Sequence, residues 1–455
     1  MNHVVIILET GLRAPGPASM GNSEVSEESI GWHPVTTRMA NRLRRFGLRH
    51  DDRRRTMTLS VSFVFEGGPL HADRLSAAFA RVSERHAALR TRFRLVEDGE
   101  PQQSVVPPHR VAVPLEVVRC RPLDAGEPTA EALGHLQRER ETAFDLGSGA
   151  LLRGQLITDS EHSHIVTVSA DHIVSDGVST DLLVADLVAA YRDPEGFDSA
   201  DSGRTLVEFA EYQRGLMDTG RGKRLLDEWI ELLPQGVPEM VLPRDFHPSE
   251  TTNDGGQLST VLGRKAYAAM REQMRELRAS PFVLAGAGLL AEARRSGVAG
   301  ALSFLTPCAG RPVEGYENTV GNFTNVLPLV VAPPESEDFA LLVQRVRSAG
   351  AWLLDHQEVP FATIVGAVDP AGSTMPHERS QIFLSHQALH VPVLEGMTGV
   401  EVQPAQVDAL FDVSIWLTDL GNRLQIDLVY RRRLFEKSTA ERVLAAVVRA
   451  LTGGR

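Results

Sequence analysis

The stretch from His164 to Gly177 constrains the fold of this chain more than any other part of it. His164–Ala170 (HIVTVSA) alternates β-branched and small residues with the period of two that marks a strand. The next residues, Asp171-His172-Ile173-Val174-Ser175-Asp176-Gly177, keep no period and must contain a sharp turn. Ser179, Thr180 and Asp181 then offer oxygens to the unsatisfied N–H groups of a first helical turn, and Leu183, Leu187, Ala190 and Tyr191 mark that helix's apolar face. The outcome is a strand–turn–helix unit with a histidine at the strand end. Such an imidazole titrates near operating pH, so His172 is suited to take a proton from an amine or hydroxyl, or to orient it. A buried structural histidine is the bland alternative, and these residues alone leave both open.

Elsewhere the pattern is also mixed. Thr58–Phe65 (TLSVSFVF) reads as a strand ended by Gly67-Gly68-Pro69, and Leu75, Phe79, Val82 and His86 give one buried stripe to a helix within His71–Leu89. The helix after Gly177 stops at Arg192-Asp193-Pro194, and the Gly, Asp and Ser residues of Pro194–Gly203 mark a boundary. Beyond it, helices are expected near 205–217, 222–233 and 282–295, and strands near 301–306, 326–331 and 424–430. The expected organisation is a poorly ordered segment 1–30, a first α+β half over 31–195 carrying the His172 turn, and a second over 204–455.

Charge and cysteine content exclude several functions. A formal charge of -12 argues against a nucleic-acid footprint, and two cysteines, Cys120 and Cys308, make neither a disulfide framework nor a four-cysteine zinc site. The apolar run Val4–Leu8 is too short for a secretory signal and no stretch approaches a membrane span, so a cytoplasmic protein is expected. His172 and Asp176 with nearby His162 and His164 do not supply the fixed three-ligand geometry of a zinc site, so no metal is expected. Gly286-Ala287-Gly288 lacks the strand that a dinucleotide fingerprint requires and reads instead as a place of close helix packing. No G-x-S-x-G elbow and no phosphate-binding G-x-x-x-x-G-K-[ST] loop occurs. Arg42, Arg44, Arg45, Arg49, Arg53, Arg54 and Arg55 form a basic run, either a solvated face or a dock for an acidic partner or a phosphate.

A set of motifs in fixed order narrows the function further. Asp171-His172-Ile173-Val174-Ser175-Asp176-Gly177 resembles the HHxxxDG motif of nonribosomal peptide synthetase condensation domains. Arg85–Phe93 (RHAALRTRF) resembles their RHExLRTxF, Phe209–Gln213 (FAEYQ) their FAxWQ, and Trp229 their following tryptophan. Gly310-Arg311, then Val320–Asn325 (VGNFTN), His356–Phe361 (HQEVPF) and Phe411–Ser414 (FDVS) follow in the family's order. The resemblance runs from about Trp32 to the C-terminus. Two departures stand out: the first histidine of HHxxxDG is Asp171, as in the DHRxxDG of dihydrolipoyl acyltransferases, and no Arg-rich motif is recognisable over Pro376–Gln387.

What this resemblance implies is an α+β pseudo-dimer of two chloramphenicol-acetyltransferase-like lobes in a V, with a central tunnel and His172 at its middle. The implied activity is a stand-alone condensation enzyme that moves an acyl or aminoacyl group from a carrier-protein phosphopantetheine thioester, delivered in trans, to an amine or alcohol acceptor. A coenzyme A-dependent acyltransferase and a non-catalytic recruitment module are the alternatives, and no bound cofactor is implied. His172 is the implied base, Gly177 an N–H donor to the oxyanion, and Asp176 a support paired to Arg311 or Arg90. Asp171 reads first as a loop cap, alternatively as a carboxylate biasing His172 toward its charged form. Asn325 and Ser414 are either substrate-channel residues or structural turn and strand residues. Arg85, His86 and Arg90 can equally be a polar helix end, while Trp229, Phe323 and Phe361 read as core.

Overall fold

A computed structural model describes residues 31–454, apart from 49–56, 98, 160, 201–202, 239–241, 249–252, 299, 312–313, 333–337, 372–381, 389–390 and 403–407. The expectation for residues 1–30, Arg49 and Arg53–Arg55 of the basic run, and the first part of Pro376–Gln387 lie outside the described residues.

Two mixed sheets with helices packed against them organise two large apolar cores. In the five-stranded first sheet, Thr58–Glu66 and Ser163–Asp171 are antiparallel neighbours in the middle, with Leu152–Thr158 and then Leu115–Arg119 beyond. Alternation explains their mixed composition. Val61, Phe63 and Phe65 enter the core, whereas Ser60 and Ser62 point the other way and bond across the ladder to Ser169 (2.8 Å) and Thr167 (2.9 Å). The helices Ala72–Arg85 and Gly177–Arg192 pack together on the core face, burying Leu75, Phe79, Val82, Leu183 and Leu187. The first of them ends at Arg85, one residue before the last member of the stripe. His86 is extended and buried, bonded to Asp186 at 2.7 Å, and a tight turn over Ala87–Arg90 replaces the last helical turn.

The second sheet has six strands in the order Gly255–Leu262, Leu424–Arg431, Val413–Asp419, Ile382–Ala388, Leu302–Cys308 and Asn325–Val331. Pro281–Arg295, Phe339–Asp355 and Lys437–Thr452 are among the helices that bury their apolar faces in its core. Gly288 lets two of them touch, since a Cβ there would sit 2.4 Å from Cβ of Ala450, as close helix packing requires.

The two halves interlock. The short strand Val400–Val402 pairs with Val64, Phe63 and Ser62 at the edge of the first sheet. Leu206, Phe209, Tyr316, Val320, Phe323, Leu394 and Met397, all beyond Gly203, pack into the first core. The compositional break at Pro194–Gly203 therefore separates two lengths of chain that both contribute to that core. Among the described residues no helix is long and apolar enough to cross a membrane.

Candidate active site

His172 stands immediately after the strand Ser163–Asp171, where its backbone N–H donates to Met57 O at 2.7 Å. The turn that follows is closed by Val174 N–H to Asp171 O at 3.0 Å. His172 Nδ1 lies 2.6 Å from Ser175 O. A carbonyl only accepts, so Nδ1 carries the hydrogen and Nε2 presents its lone pair, with no protein partner among the described residues.

The ring is only partly exposed, and the protein around it keeps it neutral. Burial lowers the His172 pKa from 6.5 to about 4; the Arg38 charge adds to this, the Ser175 carbonyl opposes it, Arg42 lowers it and Asp176 raises it. Because the folded value lies below the unfolded one, protonation favours the unfolded chain as pH falls from 6.5 towards about 4. An NMR titration of the His172 Cε1 resonance is expected to show a midpoint near 4, and a midpoint at or above 6.5 would contradict this electrostatic account.

Asp176 begins the next helix as its N-cap, three residues before the oxygens anticipated from Ser179, Thr180 and Asp181. The reason is that Asp176 Oδ1 reaches both Ser179 N–H (2.9 Å) and Ser179 Oγ (2.8 Å), satisfying a first-turn donor from outside the helix. Asp176 also meets Arg311 in a two-pronged pair, Nη1 to Oδ2 and Nη2 to Oδ1, both at 3.0 Å, with side chains 1% and 6% exposed. Phe323 N–H donates to Oδ2 at 3.0 Å. Burial alone would raise the Asp176 pKa, but Arg311 and the Ser179 donors outweigh it and hold the carboxyl below its ordinary range.

Arg90, the other candidate partner of Asp176, is engaged elsewhere. Its guanidinium donates to Ser83 O at 2.8 Å and to Glu84 O, carbonyls left open where the helix Ala72–Arg85 ends, and to Val106 O. Arg85 and His86 both approach Asp186 and tie that helix to Gly177–Arg192, the polar helix-end reading.

Arg311 is positioned by its own neighbours: it donates to Thr319 O (3.2 Å) and Ala309 O (3.2 Å), and its guanidinium lies 4.4 Å from the Phe323 ring centroid. Phe323 in turn packs edge-on to Phe209, so the FAEYQ and VGNFTN motifs meet in the first core. Gly310 makes this approach possible. Its φ is +65°, and a Cβ would fall 1.7 Å from Phe323 O. Gly310→Ala is expected to destabilise the protein by more than about 1 kcal/mol, read as a lower urea midpoint, because both the dihedral and the Phe323 backbone must give way.

For three other sequence candidates the structural alternative matches the contacts present. The Asp171 carboxylate faces Arg42 in a buried pair, Oδ1 to Nη1 at 2.6 Å and Oδ2 to Nη2 at 3.1 Å, and accepts from Ile173 N–H at 2.7 Å. It is thus a loop cap with a salt bridge, and Arg42 is no surface member of a basic run: its side chain is 6% exposed. The Asn325 amide donates to Gln357 O (2.9 Å) and Val359 O (2.7 Å) and accepts from Phe361 N–H (3.1 Å), so it laces the HQEVPF segment to the second sheet and has no N–H left for substrate. Ser414 is buried beside Phe383 in the parallel register, and no described contact joins it to the His172 turn. Trp229 and Phe361 are core.

Two groups at the site were not singled out from sequence. Asn322 Nδ2 donates to His172 O, holding the turn from the second half of the chain. Arg38 donates from Nη1 to Thr324 O at 3.0 Å and is close enough to act on the imidazole. Asn322 lay inside a quoted motif; Arg38, on the helix Thr37–Phe46, carried no local signal.

Comparisons with known proteins agree with this geometry. The family profile of the condensation domain matches residues 46–453. The chain is 30% identical over 396 residues to the cyclosporin synthetase of Tolypocladium inflatum, covering 84% of this chain but 2% of that much longer protein. Among solved structures it is similar to the first condensation domain of the calcium-dependent antibiotic synthetase (TM-score 0.76, 21% identity, 93% of this chain and 96% of that one). It is also similar to the X-domain in the complex of the X-domain and OxyB from teicoplanin biosynthesis (TM-score 0.75, 24% identity, 96% of both chains). These likenesses give an α+β fold of two chloramphenicol-acetyltransferase-like lobes. With that fold, the ordered motifs and a profile match over most of its length, the chain belongs to the condensation-domain family of nonribosomal peptide synthesis.

Proposed function

We propose that this protein transfers an acyl or aminoacyl group from the phosphopantetheine thioester of a carrier protein, met in trans, to a small-molecule amine or alcohol, forming an amide or an ester. The observation that carries this reading is the neutral imidazole of His172, fixed through Nδ1 and open at Nε2. As the nucleophile attacks the thioester carbon, its N–H or O–H becomes acidic, and Nε2 accepts that proton late in the step. The C–S bond then breaks and the imidazolium returns the proton to the departing thiolate. A group whose conjugate acid has a pKa of about 4 is too weak to deprotonate a free amine beforehand, so late transfer fits it best. Asp176 and Arg311 act as positioning residues that hold the turn and the helix start.

Gly177 is the first residue of that helix, and its N–H has no partner within the helix. It supplies a donor for the oxyanion. A Cβ at Gly177 would meet nothing within 4 Å, so the protein tolerates a methyl there. Gly177→Ala is expected to leave the urea midpoint essentially unchanged while lowering turnover about tenfold to hundredfold, because the methyl intrudes where the thioester must approach. Equal turnover of the two proteins would remove Gly177 from the reaction.

The deciding experiment incubates the protein with a carrier loaded with a panel of acyl groups and a panel of amines and alcohols, and follows the carrier by intact mass. Unloading with an acylated acceptor supports the proposal; transfer from acyl-coenzyme A but not from the carrier supports the coenzyme A reading. The likeness to the X-domain solved with OxyB favours one further reading, a recruitment module. Carrier binding without turnover of any pair would favour it over catalysis.

A further inference from the structure

Around His172 the charges cancel in pairs, with one left over. Asp171 is matched by Arg42, and Asp176 by Arg311. His172 itself is neutral above about pH 4. Arg38 remains: among the described residues it makes a single hydrogen bond, to the neutral carbonyl of Thr324, and forms no ion pair. Asp176 acts on it only through space, its oxygens already taken by Arg311, Ser179 and Phe323.

Packing forces this arrangement. Arg38 lies one turn before Arg42 on the helix Thr37–Phe46, and Thr36 caps that helix by accepting from Met39 N–H. Its guanidinium therefore lies beside the Asn322–Thr324 segment that carries the hold on the His172 turn. Burial lowers the Arg38 pKa to about 10 and Arg42 adds to this, while Asp176 opposes it, yet the group stays charged at neutral pH. This half-buried guanidinium, with most of its five N–H groups open and part of its surface accessible, lacks a counter-charge among the described residues.

We propose that Arg38 receives a carboxylate carried by the substrate, so that the small molecule reacting at His172 is an anion, such as an amino or hydroxy acid with a free carboxylate or an acyl group that ends in one. This deepens the proposed acyl transfer and rests on it for the word substrate. The phosphate of a phosphopantetheine arm is not the anion in question, because that arm places its phosphate at the opposite end from the thioester that must reach His172. Planar two-point pairing explains why an arginine would be useful here, since a guanidinium fixes a carboxylate in orientation as well as position.

The test separates binding from turnover. The full chain is titrated with N-acetylglycine and with N-acetylglycinamide, which differ only in the carboxylate, while the His172 Cε1 resonance is followed. A saturable shift is expected with the acid at concentrations where the amide gives none. It should weaken about tenfold to hundredfold in Arg38→Gln and be partly restored in Arg38→Lys. Equal binding of acid and amide, no saturable shift with the acid at tens of millimolar, or acid binding unchanged in Arg38→Gln overturns the proposal. Unchanged near-ultraviolet circular dichroism identifies a folded variant; if Arg38→Gln fails to fold, the acid–amide comparison on the wild type still decides. This readout needs no catalysis, so it stands or falls separately from the carrier-unloading assay. In that assay, amino acids against their carboxamides, and succinyl against butyryl donors, show whether the anion belongs to acceptor or donor.

Discussion

His172→Ala is expected to lower the rate of carrier unloading by about a hundredfold to ten-thousandfold while the protein remains folded. The two halves of that expectation come from different observations. Among the described residues the imidazole makes one hydrogen bond, to Ser175 O, so its loss costs about 1 kcal/mol of stability at most. The turn is held instead by Asp171 with Arg42, by Asn322 on the His172 carbonyl and by Asp176 with Arg311. Because none of these involves the ring, the acceptor and donor surfaces should survive the truncation, and binding of a loaded carrier should be retained. A variant that unloads carriers within a few fold of the wild-type rate would sink the assignment of His172 to the chemistry. In that event the recruitment reading would gain.

The second large effect is on stability. Arg311→Met is expected to lower the free energy of unfolding by about 3–5 kcal/mol, because it removes the counter-charge of a carboxylate that is 1% exposed. Ser179 N–H, Ser179 Oγ and Phe323 N–H still donate to Asp176, which places the expected loss nearer the lower end. Arg311→Lys keeps a charge but loses the two-pronged pairing, and should fall between the two. The acid limb changes as well. In the wild type the Asp176 pKa is depressed, so its stabilisation is present above the ordinary carboxylate pKa and is lost as pH falls through the lowered folded value. Without Arg311, burial becomes the dominant influence and pushes that pKa upward, so acid unfolding should set in at higher pH in the variant. Chemical denaturation followed by the signal of the first core, at neutral and acid pH, checks both statements. An unchanged midpoint would mean that Asp176 is adequately served by its neutral donors alone.

The two substitutions report on different parts of one arrangement. His172 is held lightly and in the proposed transfer works through its open nitrogen, whereas Asp176 is held by Arg311, Ser179 and Phe323 and keeps the turn and the helix start in register. An intermediate phenotype at Asn322 follows from the same geometry, since its amide donates to the carbonyl of the very residue whose ring must be aimed.

Much of the local architecture was legible before any coordinates. The strands Thr58–Glu66 and Ser163–Asp171 and the helices Leu206–Leu216, Gly220–Leu232 and Pro281–Arg295 fall within two residues of where periodicity and capping residues put them. These features are local: side chains alternate across a strand and recur on a helix face because of backbone geometry, so a window of ten residues contains the information. The helix Arg264–Leu277 was not anticipated although Tyr267, Met270, Met274 and Leu277 recur at three- and four-residue steps and pack on the second core; polar and charged residues fill the positions between them and dilute the stripe.

The ordered motifs likewise identified His172, its turn and the lobe architecture without help from packing. The pairings could not be read that way. Arg42 reaches Asp171 across 129 positions, Arg311 reaches Asp176 across 135, and Asn322 reaches the His172 carbonyl across 150. Arginines look alike in a sequence, and Arg90 was as good a candidate for Asp176 as Arg311 until the chain's second half folded against the first. Which charge meets which, and which one has no ion pair among the described residues, depends on how two cores assembled from distant segments press together. A buried ion pair requires contact and exclusion of water at one point, and neither is a property of the residues taken in order.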